Sequence, residues 1–146
     1  MNSELVSALK VVLADHYAVY FKAQGYHWNV EGVDFAEYHG LFANVYDDSL
    51  GAVDSIAENI RKLQSYAPFK MTRFSELTTV AETEVGPDVK SMTADLLIAV
   101  ETSIRSTNAA FALANGMAME PGIANDLAAR DGCLKKWAWQ LRASLS

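Results

Sequence analysis

Apolar residues recur every three or four positions over most of this chain, and this spacing constrains the fold more than any other feature. The first such stretch runs from Leu5 to Trp28, and the second runs from Phe35 to Leu63. Two further stretches follow "EVGPDV" and "MEPG", the first of them extending to about Gly116. Because a period of 3.6 residues puts apolar side chains on one helical face, the sequence predicts four long amphipathic helices.

The breaks between these stretches predict how the helices are connected. "VEGVD" should end the first helix between Asn29 and Gly32, with Asp34 as the cap of the second. Pro68 is expected to stop the second helix, and Pro121 suits the first turn of the last one. The longest connection lies between the second and third helices, and "TRFSEL" within it is expected to form a short extra helix.

A bundle of four long helices with one long crossover is typical of ferritin-like proteins. The chain has 146 residues, of which 51% are apolar, enough for one sizeable core, and no repeat or linker divides it. We therefore expect an all-α, ferritin-like four-helix bundle with a short extra helix between helices 2 and 3, as a single domain over residues 1–146.

Charge and cysteine content narrow the functional classes. The formal net charge is -6, and no basic cluster or lysine-rich arm stands out, so DNA binding is expected to be weak or absent. Cys133 is the only cysteine, which excludes an intrachain disulfide and suits a reducing compartment. No stretch has the length of a membrane span, and the start lacks the pattern of a signal peptide. We expect a cytoplasmic protein without a membrane partner.

Two histidines and two carboxylates form the candidate metal-binding set. His27 and His39 lie on either side of the first break, while Asp54 and Glu58 are one turn apart on the second helix. The two acids repel each other, so either a cation or Arg61 should compensate. Imidazole with carboxylate suits iron, zinc or manganese. The alternative is a plain interaction module with structural histidines and a solvated acidic face.

The spacing of these residues has a geometric consequence. His39 and Asp54 are fifteen residues apart, which is some 20 Å along a straight helix. One helix therefore cannot place both side chains on the same metal ion. If all four residues are ligands, a second copy of the chain must complete the site, and the protein is a symmetric oligomer.

The segment "YHWNVEGVDFAEYHGLFANVYDDSLGAVDSIAENI" resembles the Dps family, the miniature ferritins that protect DNA during starvation. In that family "HWN" ends the first helix, a second histidine follows twelve residues later, and an aspartate and a glutamate lie one turn apart. "TRFSEL" and "LKKWAWQLRASL" are similar to the extra helix and the closing helix of the family. The resemblance covers nearly the full chain.

This resemblance implies an activity and an assembly. Dps proteins are shells of twelve subunits that oxidise ferrous iron at two-fold interfaces, preferably with hydrogen peroxide, and store the ferric product as mineral. His27 and His39 of one subunit would bind iron with Asp54 and Glu58 of its neighbour, and these four would be the catalytic residues of a ferroxidase. Trp28 would pack near the site.

The chain departs from the family at Ala43, where members usually carry an aspartate. Alanine has no donor atom, so one ligand is missing. Asp47, one turn further along, would have to reach across about 5.4 Å to replace it. We expect a weakened, displaced or water-completed second iron site, with Asp47 as a further candidate metal ligand. The alternative is a Dps-like shell or DNA-associated protein whose ferroxidase activity is weakened or lost.

The third histidine, His16, shares a helical face with His27 because it lies eleven residues, or about three turns, earlier. If it faced Asp47, Asp95 or Glu101, it would belong to a metal site inside one subunit. No E-x-x-H pair of the larger ferritins' kind occurs. We therefore interpret His16 and its polar neighbours as partly exposed residues on an otherwise apolar helix.

Overall fold

The computed structural model describes residues 2–146, which form five helices and no β-sheet. In chain order the helices are α1 (Ser3–Asn29), α2 (Phe35–Lys62), α3 (Met71–Leu77), α4 (Val89–Asn115) and α5 (Pro121–Ser144). Four of them are long, and α3 is the short helix within the crossover from α2 to α4. The predicted all-α arrangement is confirmed, including the extra helix.

The long helices pack as two hairpins. α1 packs against α2 and α4, and α4 packs against α5, while α2 and α5 approach each other over a smaller area. A groove of about 420 Å³ lies between α2 and α5. On the other side, α3 packs on α1, where the rings of Tyr17 and Phe74 lie 4.7 Å apart. The hairpin of α1 and α2 is the part of the fold that carries the candidate site.

The helix ends follow the sequence signals only in part. Gly32 has a φ of 132°, which glycine alone adopts easily, and it turns the chain between α1 and α2. Asp34 stands at the cap position of α2, but its side chain makes no capping hydrogen bond. The prediction that Pro68 stops α2 is wrong, because α2 ends at Lys62 and the chain leaves the helix through Gln64 at a φ of 66°. Pro121 is the first residue of α5, as predicted.

The core consists of two apolar clusters separated by a polar layer. One cluster contains Leu9 and Ile60, and the other contains Phe42 and Leu141. On each long helix a polar residue falls between them: His16 on α1, Ser49 on α2, Ser103 on α4 and Arg130 on α5. Buried polar groups cost free energy unless they find partners, so the contacts in this layer matter for stability.

The described part of the chain contains no helix with the length and apolarity that crossing a membrane requires.

Candidate metal centre

The last turn of α1 and the second turn of α2 bring His27 and His39 face to face. Their ring centroids are 3.7 Å apart and their planes differ by 15°. Nδ1 of His27 donates a hydrogen bond to the carbonyl oxygen of His39 at 2.6 Å, and Nδ1 of His39 donates to the carbonyl oxygen of His27 at 2.7 Å. Because a carbonyl only accepts, each neutral ring carries its proton on Nδ1 and keeps the lone pair on Nε2. The pair can therefore offer two nitrogen donors to a metal ion, held as metal-binding histidines usually are.

Neighbouring aromatic rings hold this pair in position. The ring of Phe35 stacks on His39 at 4.8 Å, and the ring of Tyr46 meets His27 edge-on at 5.3 Å. The turn between the helices is anchored by Glu31, whose backbone N–H donates to the carbonyl oxygen of Pro87 at 2.8 Å. Both histidines remain half-buried, so they are restrained and yet accessible.

The two candidate carboxylates, Asp54 and Glu58, lie exposed on α2. Arg61 does not compensate them, because its guanidinium donates to the carbonyl oxygen of Ser65 at 3.0 Å and covers the ring of Tyr66 at 4.6 Å. Within residues 2–146 neither acid forms an ion pair. The interpretation that Arg61 forms a salt bridge with this acid pair is therefore wrong, and no other ion pair in the described residues involves either acid.

One chain does not assemble these residues into a complete site. In the described range, no group of three or more His, Cys, Asp or Glu side chains is placed to hold a metal ion. The fold brings His27 and His39 together, whereas Asp54 and Glu58 lie further along the continuous helix α2. The assignment of these four residues as ligands stays a prediction that requires a second chain.

The positions of Ala43 and Asp47 bear on the predicted second iron site. Ala43 is half-buried on α2 and offers no donor atom. Asp47 is exposed and lines the groove between α2 and α5 together with Asp126, and neither histidine lines that groove. The role of Asp47 as a metal ligand also stays a prediction.

His16 is fully buried and is hydrogen-bonded to Arg130, a residue outside the metal-binding set that the sequence predicts. Its Nδ1 donates to the carbonyl oxygen of Val12 at 2.8 Å, and its Nε2 accepts from Nε of Arg130 at 3.1 Å. Arg130 also donates two hydrogen bonds to Asp48, at 3.1 and 2.7 Å. Burial lowers the pKa of His16 to about 4, and the charge of Arg130 acts in the same direction. His16 is therefore neutral near pH 7.

The suggestion that His16 faces Asp47, Asp95 or Glu101 is wrong. Asp95 accepts a hydrogen bond from Nζ of Lys22 at 2.6 Å, and Glu101 lies 3.7 Å from Arg142. The guanidinium of Arg130 occupies the position beside Nε2 where a metal ion would bind, and like charges repel. The expectation that His16 is partly exposed is wrong as well. A signal was available in "DLAARDG", where one arginine interrupts the apolar face of the last helix.

Comparison with known proteins identifies the family of this chain. A family model for the ferritin-like domain matches residues 6–119. The chain belongs to the ferritin-like family.

The resemblance to the Dps members of that family is confirmed by relatives and by solved structures. DNA protection during starvation protein 2 of Bacillus anthracis is 26% identical over 147 residues, which cover 100% of this chain and 99% of that protein. The Dps protein of Vibrio cholerae O1 has a TM-score of 0.92 at 25% identity, covering 99% of this chain and 91% of its own. Antigen TpF1 of Treponema pallidum has a TM-score of 0.93 at 26% sequence identity, and the match covers 99% of this chain and 92% of that chain.

A further relative matches over a shorter range. An uncharacterized protein of Haemophilus influenzae is 33% identical over 90 residues. This match covers 57% of the present chain and 56% of that protein. The chain thus aligns with little more than half the length of this relative.

Proposed function

We propose that the protein is an oligomeric iron-storage protein with ferroxidase activity. Ferrous iron is its substrate, bound between His27 and His39 of one chain and Asp54 and Glu58 of a second chain. Hydrogen peroxide is the proposed oxidant, and the ferric product is stored inside the assembly. Iron storage and DNA protection are the family-level functions that the ferritin-like family and the Dps-named relatives support.

One observation carries the proposal: the reciprocal hydrogen bonds of His27 and His39 leave both Nε2 atoms free to bind a metal ion. The unpaired acids Asp54 and Glu58 would supply the oxygen ligands. Neutral imidazole with carboxylate suits ferrous iron, and the two negative charges would also stabilise the ferric product. Because these groups do not meet within one chain, a two-fold contact between chains would complete each site.

The remaining parts of the proposal follow the resemblance to the Dps family. We propose a homo-oligomer, with twelve subunits as the specific assembly, and a cytoplasmic location suited to the unpaired Cys133. Residues 1–146 would form a single domain. Consumption of iron and peroxide together would protect the cell, and its DNA, from hydroxyl radicals. The net charge of -6 favours protection without tight DNA binding.

The test is an anaerobic titration with ferrous iron, followed by peroxide, on the purified oligomer. We expect saturable binding and fast oxidation that are lost in His27→Ala and in Asp54→Asn. Glu4→Gln is the control, because Glu4 is an exposed acid in the first turn of α1. Oxidation no faster than in buffer for the unmodified protein would contradict the proposal.

Ala43 favours a second candidate function. A Dps-like shell that lost efficient iron oxidation would keep the assembly and bind DNA or other partners through its surface. Retention on a DNA column at low salt, released as salt rises, together with the absence of iron oxidation, would support this alternative.

A further inference from the structure

The groove between α2 and α5 contains an amide and a carboxylate that meet across the two helices. Asn59 on α2 is only 3% exposed, and its Nδ2 donates a hydrogen bond to Oδ2 of Asp126 on α5 at 3.1 Å. Oδ1 of Asn59 is buried and accepts no hydrogen bond within residues 2–146. Asp126 is half-buried and forms no ion pair in the same range. The pair therefore combines a buried oxygen that lacks a donor with a carboxylate that lacks a counter-ion, and both cost free energy.

The rest of the groove lining favours a positively charged ligand. The charged residues that line it are three acids and one base, namely Asp47, Asp48, Asp126 and Arg130. The guanidinium of Arg130 donates two hydrogen bonds to Asp48, so its charge is already paired. Ser55 also lines the groove, one helical turn before Asn59 on the same face of α2. Its hydroxyl is a further oxygen that a cation can bind.

We propose that this groove binds a hard divalent cation of the Mn²⁺ or Mg²⁺ class, with oxygen ligands from Asp126, Asn59 and Ser55 and with water completing the shell. Carboxylate, amide and hydroxyl oxygens suit such ions, whereas zinc and copper favour imidazole or thiolate, which the groove lining does not contain. The site uses none of the four residues proposed to bind iron, and it does not depend on the proposed function.

The spacing of the two side chains fits such an ion. Two ligands at neighbouring corners of an octahedron are about 3.0 Å apart when each lies about 2.1 Å from the metal. Nδ2 of Asn59 lies 3.1 Å from Oδ2 of Asp126. A half-turn of the amide exchanges Nδ2 with Oδ1 and so puts an oxygen where the nitrogen lies. This exchange breaks one hydrogen bond, which the cation replaces with bonds to two oxygens, and it leaves one unpaired amide atom in the buried position, as before.

The first test is a titration with Mn²⁺, followed by the electron paramagnetic resonance signal of the free ion. The purified oligomer carries Asp54→Asn with Glu58→Gln, so that the candidate iron site has no carboxylate. We expect saturable binding, and a dissociation constant that rises by about tenfold or more in Asp126→Asn because the charged ligand is lost. Asp131→Asn is the control, because Asp131 lies on the same helix, pairs with Lys135 and does not line the groove.

Asn59→Asp changes the same site in the opposite direction. Without a cation this variant sets a second carboxylate against Asp126, so the melting temperature in a chelator should fall below that of the unsubstituted groove. With Mn²⁺ the added charge becomes a ligand, so binding should tighten by about tenfold. The melting temperature should then recover, since a ligand stabilises the fold that binds it.

Two results would overturn the cation site. One is the absence of saturable Mn²⁺ binding to the oligomer with the unsubstituted groove. The other is an Mn²⁺ affinity that changes in neither Asp126→Asn nor Asn59→Asp. If Asp126→Asn fails to assemble, the affinity of Asn59→Asp alone decides. Both results would leave the ferroxidase proposal standing, because the titration with ferrous iron tests it through different residues.

Discussion

The side chain of Arg130 connects three helices. Arg130 lies on α5, and its guanidinium donates hydrogen bonds to His16 on α1 and to Asp48 on α2. Burial acts to raise the pKa of Asp48, but the hydrogen bonds and charge of Arg130 outweigh it and hold that pKa below its ordinary value. Arg130 thus donates hydrogen bonds to a neutral histidine and to an ionised carboxylate, and so allows both to lie inside the bundle.

Arg130→Ala should destabilise the protein strongly. The side chains of Arg130 and Asp48 are only 14% and 20% exposed, so the substitution leaves a largely buried charge without a partner. We expect the free energy of unfolding to fall by about 3–5 kcal/mol, as measured by chemical denaturation. Lys135→Ala is the matched control, because Lys135 pairs with Asp131 at the surface with 60% of its side chain exposed. The control should cost about 0–1 kcal/mol. Equal losses in the two variants would show that burial of the Arg130 pair has no such effect.

His16 should make stability depend on pH. Its pKa of about 4 in the folded chain lies below the ordinary 6.5, so between these values the unfolded chain binds a proton that the folded chain does not. The free energy of unfolding should therefore fall as the pH drops from about 6.5 to about 4, by of the order of 3 kcal/mol in total. Urea denaturation across this window measures the effect. His16→Gln, which cannot titrate there, should show a flatter dependence, and an unchanged slope in that variant would contradict the assignment.

At the scale of the helices, the chain leaves the C-terminal end of α2 through an unfavourable backbone conformation. Gln64 follows the end of α2 with a φ of 66°, a conformation that costs a residue with a Cβ about 1–2 kcal/mol. Gln64→Gly should therefore raise the free energy of unfolding by about 1 kcal/mol, measured by thermal or chemical denaturation. Ser65→Gly is the control, because Ser65 has an ordinary φ and glycine there only adds flexibility to the unfolded chain. A loss of stability in Gln64→Gly would contradict this account of the helix end.

The crossover is tied to α1 by a buried carboxylate. Asp15 accepts hydrogen bonds from the hydroxyl of Thr78 at 2.6 Å, and from the backbone N–H and hydroxyl of Thr79 at 2.7 Å each. These bonds hold the chain just after α3 against the bundle. The short helix α3 is therefore stabilised by tertiary contacts, because seven residues are too few to form a stable helix alone.

At the scale of the whole assembly, the proposed site can be tested by mixing two inactive chains. One chain carries His27→Ala with His39→Ala, and the other carries Asp54→Ala with Glu58→Ala. If each site takes its histidines and its acids from different chains, equal co-expression should restore about a quarter of the sites by random pairing. The measurement is iron oxidation per subunit after the assembly has been purified.

Two comparisons make this result decisive. Co-expression of two differently tagged copies of the histidine variant should restore nothing, because no chain supplies the imidazoles. If the mixed assembly forms with the correct mass and also restores nothing, the two groups of residues do not form one shared site.

The sequence alone determined the class of fold and the turn that carries the candidate site. Helical periodicity, the break at "VEGVD" and the long crossover are local properties of the chain, and they were sufficient for four long helices and a short one. These local properties did not predict where α2 ends. A proline marks a position that a helix cannot pass, but the helix can end several residues earlier, as α2 does at Lys62. The spacing of His27, His39, Asp54 and Glu58 predicted a metal site shared between two chains.

Only the tertiary structure decided which side chains meet. It stacked His27 on His39 with reciprocal hydrogen bonds, which fixes the free nitrogen on each ring. It also placed Arg130 against His16, 114 residues away in the chain, and so removed the suggested metal site inside the bundle. Contacts of this kind depend on how helices are rotated and offset against each other. Periodicity within one helix gives the face that is buried, but it does not give the partner across the core.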